Sequence, residues 1–70
     1  MIHFSSRLLI LRSMNQISQT DLAKHIHVTR QTIAAIEMGT KAPTLFTAFK
    51  IAKFFGESIE SIFTFRESKK

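Results

Sequence analysis

Four consecutive polar residues, Thr29, Arg30, Gln31 and Thr32, carry the most distinctive chemistry in this sequence. Arginine and glutamine are the side chains that make paired hydrogen bonds to the edges of guanine and adenine in the major groove. Thr29 can cap a helix that begins after it, and a helix start presents backbone N–H groups that attract phosphate. The pattern predicts a helix whose first turn binds nucleic acid, with a merely solvated helix start as the simpler alternative.

Two short helices joined by a tight turn are predicted to position this segment, within residues 18–39. Ser18 should cap the first helix, and Asp21 three residues later gives a near capping box. The apolar residues of both helices follow i, i+3, i+4 spacing, so each helix has one narrow face to bury. Those residues are Leu22, Ala23 and Ile26, then Ile33 and Ile36. This arrangement matches the helix-turn-helix, whose second helix lies in the major groove of DNA.

The positive charge of the chain is concentrated around this motif. The formal net charge is +5. Residues 1–55 carry seven basic and two acidic residues, whereas residues 56–70 carry three of each. A nucleic-acid surface requires such a local excess of cations, although lysines retained for solubility would give the same total.

Length and composition indicate the number of domains and argue against disulfide-bonded, secreted and membrane-spanning proteins. Seventy residues without an internal repeat indicate one domain over residues 1–70, and so short a chain buries little core, which favours association. The absence of cysteine excludes disulfides and cysteine-based metal sites. We find no signal peptide and no apolar run long enough to cross a membrane, so we expect a cytoplasmic protein without membrane association.

The histidines and carboxylates make a poor metal or catalytic site. His25 and His27, with His3 as a possible third ligand, lie two residues apart and do not share a helix face. Asp21 and His25 do share a face, yet the sequence has no nucleophile elbow and no glycine-rich phosphate loop. We therefore expect a protein that is not an enzyme, with no metal, no cofactor and no small-molecule ligand.

The flanking segments predict three further helices and a ribbon. The first helix should begin at Ser5 or Ser6, and Ser58 should cap a short last helix. Alternating apolar residues at 2–4 and 63–65 could pair as a two-stranded ribbon. A fourth helix should follow Pro43 with Thr44 as its cap. Its predicted core stripe, flanked by Phe49 and Ile51, consists of Leu45, Ala48, Ala52 and Phe55. Phe46 and Phe54 fall outside that stripe, which indicates either a contact surface or packing beneath a terminal segment.

These motifs resemble the phage-repressor-like (Xre-type) helix-turn-helix transcriptional regulators. The similarity spans residues 6–63 and is carried by LRSMNQISQTDLA, by VTRQTIAAIE and by a G-x-x-x-P step followed by LFTAFKIAKFFGESIESIF. The short stand-alone members of the cytolysin-repressor type are especially similar. The resemblance implies an all-α, five-helix lambda-repressor-like domain with a recognition helix at about residues 29–38 and a small two-stranded antiparallel ribbon from the chain ends. It further implies a homodimeric repressor that binds a palindromic operator in double-stranded DNA.

The resemblance also assigns roles to individual residues. The first residue of the family's motif is a glutamine that contacts phosphate and braces the recognition helix, here Gln19. The two positions after the cap read bases, here Arg30 and Gln31, and a further base-reading position falls on Ala35, whose methyl could touch only a thymine methyl. The positions with phosphate-side roles are Thr29 and Thr32.

Structural and dimer contacts are implied in the same way. The family pairs an arginine of its first helix with a glutamate that closes the recognition helix, and Arg12 and Glu37 occupy these places. Family dimers pair through the loop after the recognition helix and the start of the last helix. That surface corresponds to Pro43, Phe46 and Ile59.

The sequence departs from the family at two positions. His27 stands in the turn where glycine is usual, at a cost of about 1 kcal/mol if its φ is positive. Met38 stands where an asparagine usually contacts phosphate, and Thr40 and Lys41 could replace that contact. The alternative function is a protein-interaction or antitoxin-like module that uses Phe46 and Phe54.

Overall fold

The computed structural model describes the backbone of residues 2–67 and the side chains of residues 4–64. In chain order the elements are β1 (Ile2–Ser6), α1 (Leu8–Met14), α2 (Gln19–Ile26), α3 (Arg30–Met38), α4 (Leu45–Phe55), α5 (Ile59–Ile62) and β2 (Phe63–Glu67). The five predicted helices and the predicted ribbon of the chain ends are therefore confirmed. Across residues 2–67, no helix has both the length and the apolar character needed to span a membrane.

Side-chain caps set the starts of four helices. The hydroxyl groups of Ser18 and Thr29 accept hydrogen bonds from backbone N–H groups three residues further along, at 3.0 and 3.2 Å. Thr44 and Ser58 do the same at the starts of α4 and α5, both at 3.1 Å. Each cap satisfies one of the N–H groups that a first helical turn leaves without a partner. The four caps predicted from the sequence are thus present.

The turn between α2 and α3 depends on a left-handed residue. His27 has φ 62° and ψ 48°, so it takes the backbone conformation that glycine would take without strain. Its N–H and that of Val28 both donate to the carbonyl of Ala23, which closes α2 and redirects the chain into α3. Gln16, after α1, also has a positive φ of 54°, which the sequence analysis did not anticipate.

Replacing His27 by glycine should raise the free energy of unfolding by about 0.5–1 kcal/mol, because relief of left-handed strain exceeds the added entropy of the unfolded chain. The exposed Lys24 lies inside α2 and provides the matched control. Lys24→Gly should instead lower that free energy by about 1 kcal/mol. Urea unfolding followed by circular dichroism measures both. Destabilisation by His27→Gly would show that the imidazole contributes contacts that outweigh the strain.

The core takes its fully buried side chains from all five helices. These side chains are Leu8, Leu22, Ile33, Ile36, Ile51 and Ile62. The inner face of α3 packs against both α1 and α2. Because α3 contributes two of the six, the orientation of this helix follows directly from core packing, and its polar side is directed outward.

The first helix begins later than predicted. Ser5 and Ser6 lie in β1, paired with Thr64 and Phe63, and α1 starts only at Leu8. The strand pairing extends over five residues from each chain end, whereas the sequence pattern indicated three. Phe4 stacks on Phe63 with ring centroids 5.8 Å apart, which attaches the ribbon to the core. This tertiary contact explains why two serines with good capping chemistry form strand instead.

The predicted core stripe of α4 was partly wrong. Leu45 and Phe49 are exposed by 79% and 64%, and the fully buried residue is Ile51, which had been predicted only as a flank. The buried face consists of Thr47, Ala48, Ile51 and Ala52. Helix α2 packs against α4, and the small alanines allow close approach of two helix axes. Phe46 and Phe54 are exposed by 70% and 38%, as the helical spacing indicated.

Candidate nucleic-acid interface

The first turn of α3 is an exposed polar tip on a buried support. Ile33 and Ile36 are fully buried, whereas Arg30 and Gln31 are exposed. At 100° per residue, Gln31 lies on the side of α3 opposite Ile33 and Ile36, and Arg30 lies at the edge of the buried face. The structure therefore brings an arginine and a glutamine together where both can contact a ligand outside the protein.

The two threonines of the tip contact each other. The Thr29 and Thr32 hydroxyl oxygens lie 3.0 Å apart, and the backbone N–H of Thr32 donates to Thr29 Oγ1. These bonds order the capping turn from which Arg30 and Gln31 project. A cap of this kind leaves the preceding N–H groups of the helix start available to an anion.

A buried ion pair supports the other end of α3. Arg12 Nε donates to Glu37 Oε2 at 2.6 Å, and its NH2 group donates to Glu37 Oε1 at 3.2 Å. The two side chains are exposed by only 14% and 6%. Arg12 NH1 also donates to the carbonyl of Ile17 at 3.0 Å, so one guanidinium joins α1, the α1–α2 turn and α3. The hydrogen bond that Arg12 donates to the Glu37 carboxylate raises the pKa of Arg12, which remains charged throughout the physiological range.

Gln19 lies between this ion pair and the exposed tip. Its Nε2 donates to Glu37 Oε1 at 2.9 Å, and its Oε1 accepts from Arg30 NH1 at 3.2 Å. The first residue of α2 thus contacts both the first and the penultimate residues of α3. The family resemblance predicts that Gln19 braces the recognition helix, and the bond to Arg30 adds a contact that was not predicted.

The segment after α3 contains an exposed cation, Lys41, and a hydroxyl group, that of Thr40, which is hydrogen-bonded within the protein. The carbonyl of Ala35, itself half-buried, accepts from the backbone N–H of Thr40 at 3.1 Å and from its hydroxyl at 3.2 Å. Lys41 is exposed beside it, as is Met38. Lys41 is therefore the better placed of the two residues predicted to contact phosphate, because the Thr40 hydroxyl donates within the protein.

Comparison with known proteins identifies the family. The pattern that defines the family described as Helix-turn-helix matches residues 8–62. An uncharacterized HTH-type transcriptional regulator of Methanocaldococcus jannaschii is 48% identical over 64 residues, covering 91% of this chain and 97% of that protein. This chain belongs to the helix-turn-helix family. It is a helix-turn-helix transcriptional regulator, and proteins of this kind bind DNA.

Two further relatives extend the comparison. The uncharacterized HTH-type transcriptional regulator YgzD of Bacillus subtilis is 44% identical over 57 residues, covering 81% of this chain and 86% of that protein. The cryptic phage CTXphi transcriptional repressor RstR of Vibrio cholerae is 39% identical over 59 residues, covering 84% of this chain but only 53% of RstR. The predicted phage-repressor-like resemblance is confirmed by these matches.

Two of the three residues predicted for a dimer surface, Phe46 and Ile59, line two grooves of this helix-turn-helix domain. Phe46 is exposed by 70%, and Pro43 and Ile59 are half-buried. Phe49, which the sequence analysis had assigned to the flank of the core, is exposed and lines a groove of about 550 Å³ together with Ile59. It also lines a second groove of about 370 Å³ with Phe46. Phe49 therefore connects Phe46 with Ile59, whereas Pro43 lines neither of these two grooves.

The histidines and carboxylates were considered as metal ligands in the sequence analysis. Among residues 4–64, whose side chains the structure describes, no three side chains of the metal-ligating types are placed together, and the side chain of His3 lies outside this range. His25 is engaged with its own helix and with an aromatic ring, since its Nδ1 lies 2.9 Å from the Asp21 carbonyl oxygen and its ring centroid 5.2 Å from that of Phe54.

Proposed function

We propose that this helix-turn-helix regulator is a repressor that binds a palindromic operator as a homodimer. The observation that carries the proposal is the exposed Arg30–Gln31 tip on a helix whose opposite face is fully buried. In a two-fold dimer, two such tips would enter successive major grooves about 34 Å apart. The whole chain, residues 1–70, would then act as a single DNA-binding domain, in the cytoplasm together with its operator.

The residue roles follow from the chemistry of each exposed group. Arg30 and Gln31 would read bases, because both can make paired hydrogen bonds to base edges. The remaining groups would contact phosphate or position the tip, with Ala35 touching at most a thymine methyl. The phosphate-side residues in this proposal are Gln19, Thr29, Thr32 and Lys41, whereas Thr40, whose hydroxyl and N–H both donate to the Ala35 carbonyl, would hold the loop that carries Lys41.

Repression is supported by the name of one relative and by simple sterics. RstR is a transcriptional repressor. A domain of this size bound across a promoter can exclude polymerase by occupying the site. Blocking a site is therefore the simplest mechanism for this fold.

The homodimer is supported by the exposed apolar surface of α4. Leu45, Phe46 and Phe49 are each exposed by more than 60%, and contiguous apolar side chains of this size mark interaction surfaces. The residues that line the groove beside Phe49 include Lys53, Glu57 and Glu60. In a two-fold arrangement the same patch meets itself, so lysines of one copy can face carboxylates of the other.

Salt dependence and selection from a random duplex pool test the function. Binding to duplex DNA should weaken steeply as salt rises, since each neutralised phosphate releases counterions. The selected sequences should contain two half-sites of inverted symmetry. A chain that binds no duplex even at low salt would instead support the protein-interaction alternative, and selected sites without symmetry would contradict the homodimer.

Phe49→Ser should weaken self-association by about tenfold or more, because a large exposed aromatic at the centre of an interface contributes most of its binding energy. Folding should be unaffected, since Phe49 contributes little to the core. Met14→Ser, at another exposed apolar residue on α1, is the matched control and should leave association unchanged. Analytical ultracentrifugation across a concentration series measures both. Equal association of Phe49→Ser and the parent would exclude this face as the interface.

A further inference from the structure

Within residues 2–67, two residues other than glycine adopt the left-handed backbone conformation, and they flank α2. Gln16, in the turn before α2, has φ 54°, and His27, directly after α2, has φ 62°. This conformation is strained for a residue that has a Cβ, and glutamine is not among the types that tolerate it best. The protein therefore carries a conformational cost at each end of the same helix.

Neither side chain recovers this cost inside the protein. A short polar side chain can offset left-handed strain by a local hydrogen bond. Among residues 4–64, whose side chains the structure describes, those of Gln16 and His27 are exposed and make no hydrogen bond, ion pair or ring contact. Their polar groups are free for a partner outside the chain, and strained residues of this kind concentrate at functional sites.

Both positions lie close to the exposed tip of α3. Gln16 precedes Gln19 by three residues, and Gln19 accepts a hydrogen bond from Arg30 at 3.2 Å. His27 precedes Arg30 itself by three residues. Three residues span at most about 11 Å, which is less than the width of the major groove, about 12 Å. With Arg30 at a base edge, both side chains would lie within reach of the phosphates that border the groove.

The course of α2 favours phosphate as the ligand. The first helix of a helix-turn-helix crosses the DNA backbone. Helix α2 has eight residues and is therefore about 12 Å long, so side chains at its two ends would meet different phosphates. The amide of Gln16 and the imidazole of His27 each carry an N–H donor, which suits phosphate oxygens.

We propose that Gln16 and His27 contact phosphates of the DNA strand that α2 crosses, and that the affinity gained offsets the strain of two left-handed residues. This inference rests on the proposed DNA binding and adds two contacts to it. The family usually has glycine at position 27, which offers no side chain, so the resemblance does not imply this contact. Neither side chain would read a base, and both would strengthen binding to every sequence alike.

Two kinds of substitution separate backbone strain from DNA contact. Gln16→Gly and His27→Gly relieve the strain and should raise the midpoint of thermal unfolding by about 2–8 °C. Gln16→Met and His27→Phe retain the strain but remove the donors, so the midpoint should stay close to that of the parent. Gly56→Gln is the stability control, because φ is 69° there and an added Cβ meets no atom within 4 Å. It should lower the midpoint by a similar amount.

DNA binding should respond differently from stability. All four variants at positions 16 and 27 should bind duplexes about fivefold more weakly, because each loses a hydrogen bond to a charged acceptor. The loss should be equal on selected and random duplexes. Gln16→Met should leave the salt slope unchanged, since a neutral amide releases no counterion, whereas Lys41→Ala should reduce it. Ethylation of one phosphate in each half-site should weaken binding of the parent and have no effect on Gln16→Met.

The methionine and phenylalanine variants decide the outcome. Parent-like affinity in Gln16→Met or His27→Phe would overturn the inference for that residue. A loss confined to the glycine variants would also overturn it, because the cause would then be a more flexible turn. So would a loss confined to duplexes with one particular base. If the parent binds no duplex even at low salt, the proposed function fails together with the inference.

Discussion

Replacing Arg12 by methionine should lower the free energy of unfolding by about 3–5 kcal/mol, since it leaves the carboxylate of Glu37 nearly buried without its partner. Arg12 makes two bonds to Glu37 and one to the carbonyl of Ile17, and both side chains of the ion pair are almost inaccessible. A domain of this size has little stability in reserve. The single variant should therefore be largely unfolded at physiological temperature.

The double replacement Arg12→Met/Glu37→Met should recover most of this loss. Removing both charges abolishes their desolvation cost, and methionine adapts its shape to fill the space. Thermal unfolding followed by circular dichroism compares the two variants directly. If the double variant were no more stable than the single one, the charge pair would be stabilising the fold outright, beyond the avoidance of a lone buried charge.

The pH range over which the Arg12–Glu37 pair stabilises the fold follows from the direction of the Arg12 pKa shift. The hydrogen bond to Glu37 raises the pKa of Arg12. A cation with a raised pKa in the folded state contributes stability that is fully present below its unfolded pKa and is lost as the pH rises through the folded value. For arginine that window lies at strongly alkaline pH. We compare the free energy of unfolding of the parent with that of Arg12→Met/Glu37→Met. Titration of Arg12 should not change this difference between about pH 6 and pH 9, because that range lies far below the arginine pKa.

Arg30→Ala should cost about 1–3 kcal/mol of operator binding for each half-site and should relax the preference at one base position. Arg30 is exposed at the tip of α3, and its alanine variant loses paired hydrogen bonds that only one base pair can accept. Because a palindromic site contains the position twice, the loss for a dimer should approach double this value. Gel-shift titration against single-base operator variants measures the change.

Lys41→Ala is the matched comparison, because it also removes one exposed cation. A lysine that contacts phosphate carries no sequence information, so its loss should weaken binding to all duplexes alike and reduce the salt slope by about 1. The two variants should therefore differ both in how much DNA affinity is lost and in which DNA sequences lose it. Equal losses on specific and random DNA for both would contradict the assigned roles.

The family and the helix boundaries of the motif could be predicted because they depend on local interactions. A cap such as Ser18 or Thr29 acts on an N–H group three residues away, and helical periodicity is visible within a short window. The base-reading roles of Arg30 and Gln31 remain a prediction, although the structure places both residues in accessible positions.

The outer helices were predicted less well, since their faces depend on distant partners. Helix α4 is rich in phenylalanine, so several stripes satisfy its periodicity, and the contact with α2 selects the one centred on Ile51. Ser5 and Ser6 could cap a helix, but pairing with β2 more than fifty residues away places them in a strand.

By itself, the sequence determined a basic helix-turn-helix regulator with its polar tip at residues 29–32, because composition, caps and short-range spacing carry that information. Only the tertiary structure decided that Gln19 joins Glu37 to Arg30, with partners 18 and 11 residues away along the chain. It also decided that Phe49 is exposed, because burial depends on which elements meet in space and no local pattern reports that.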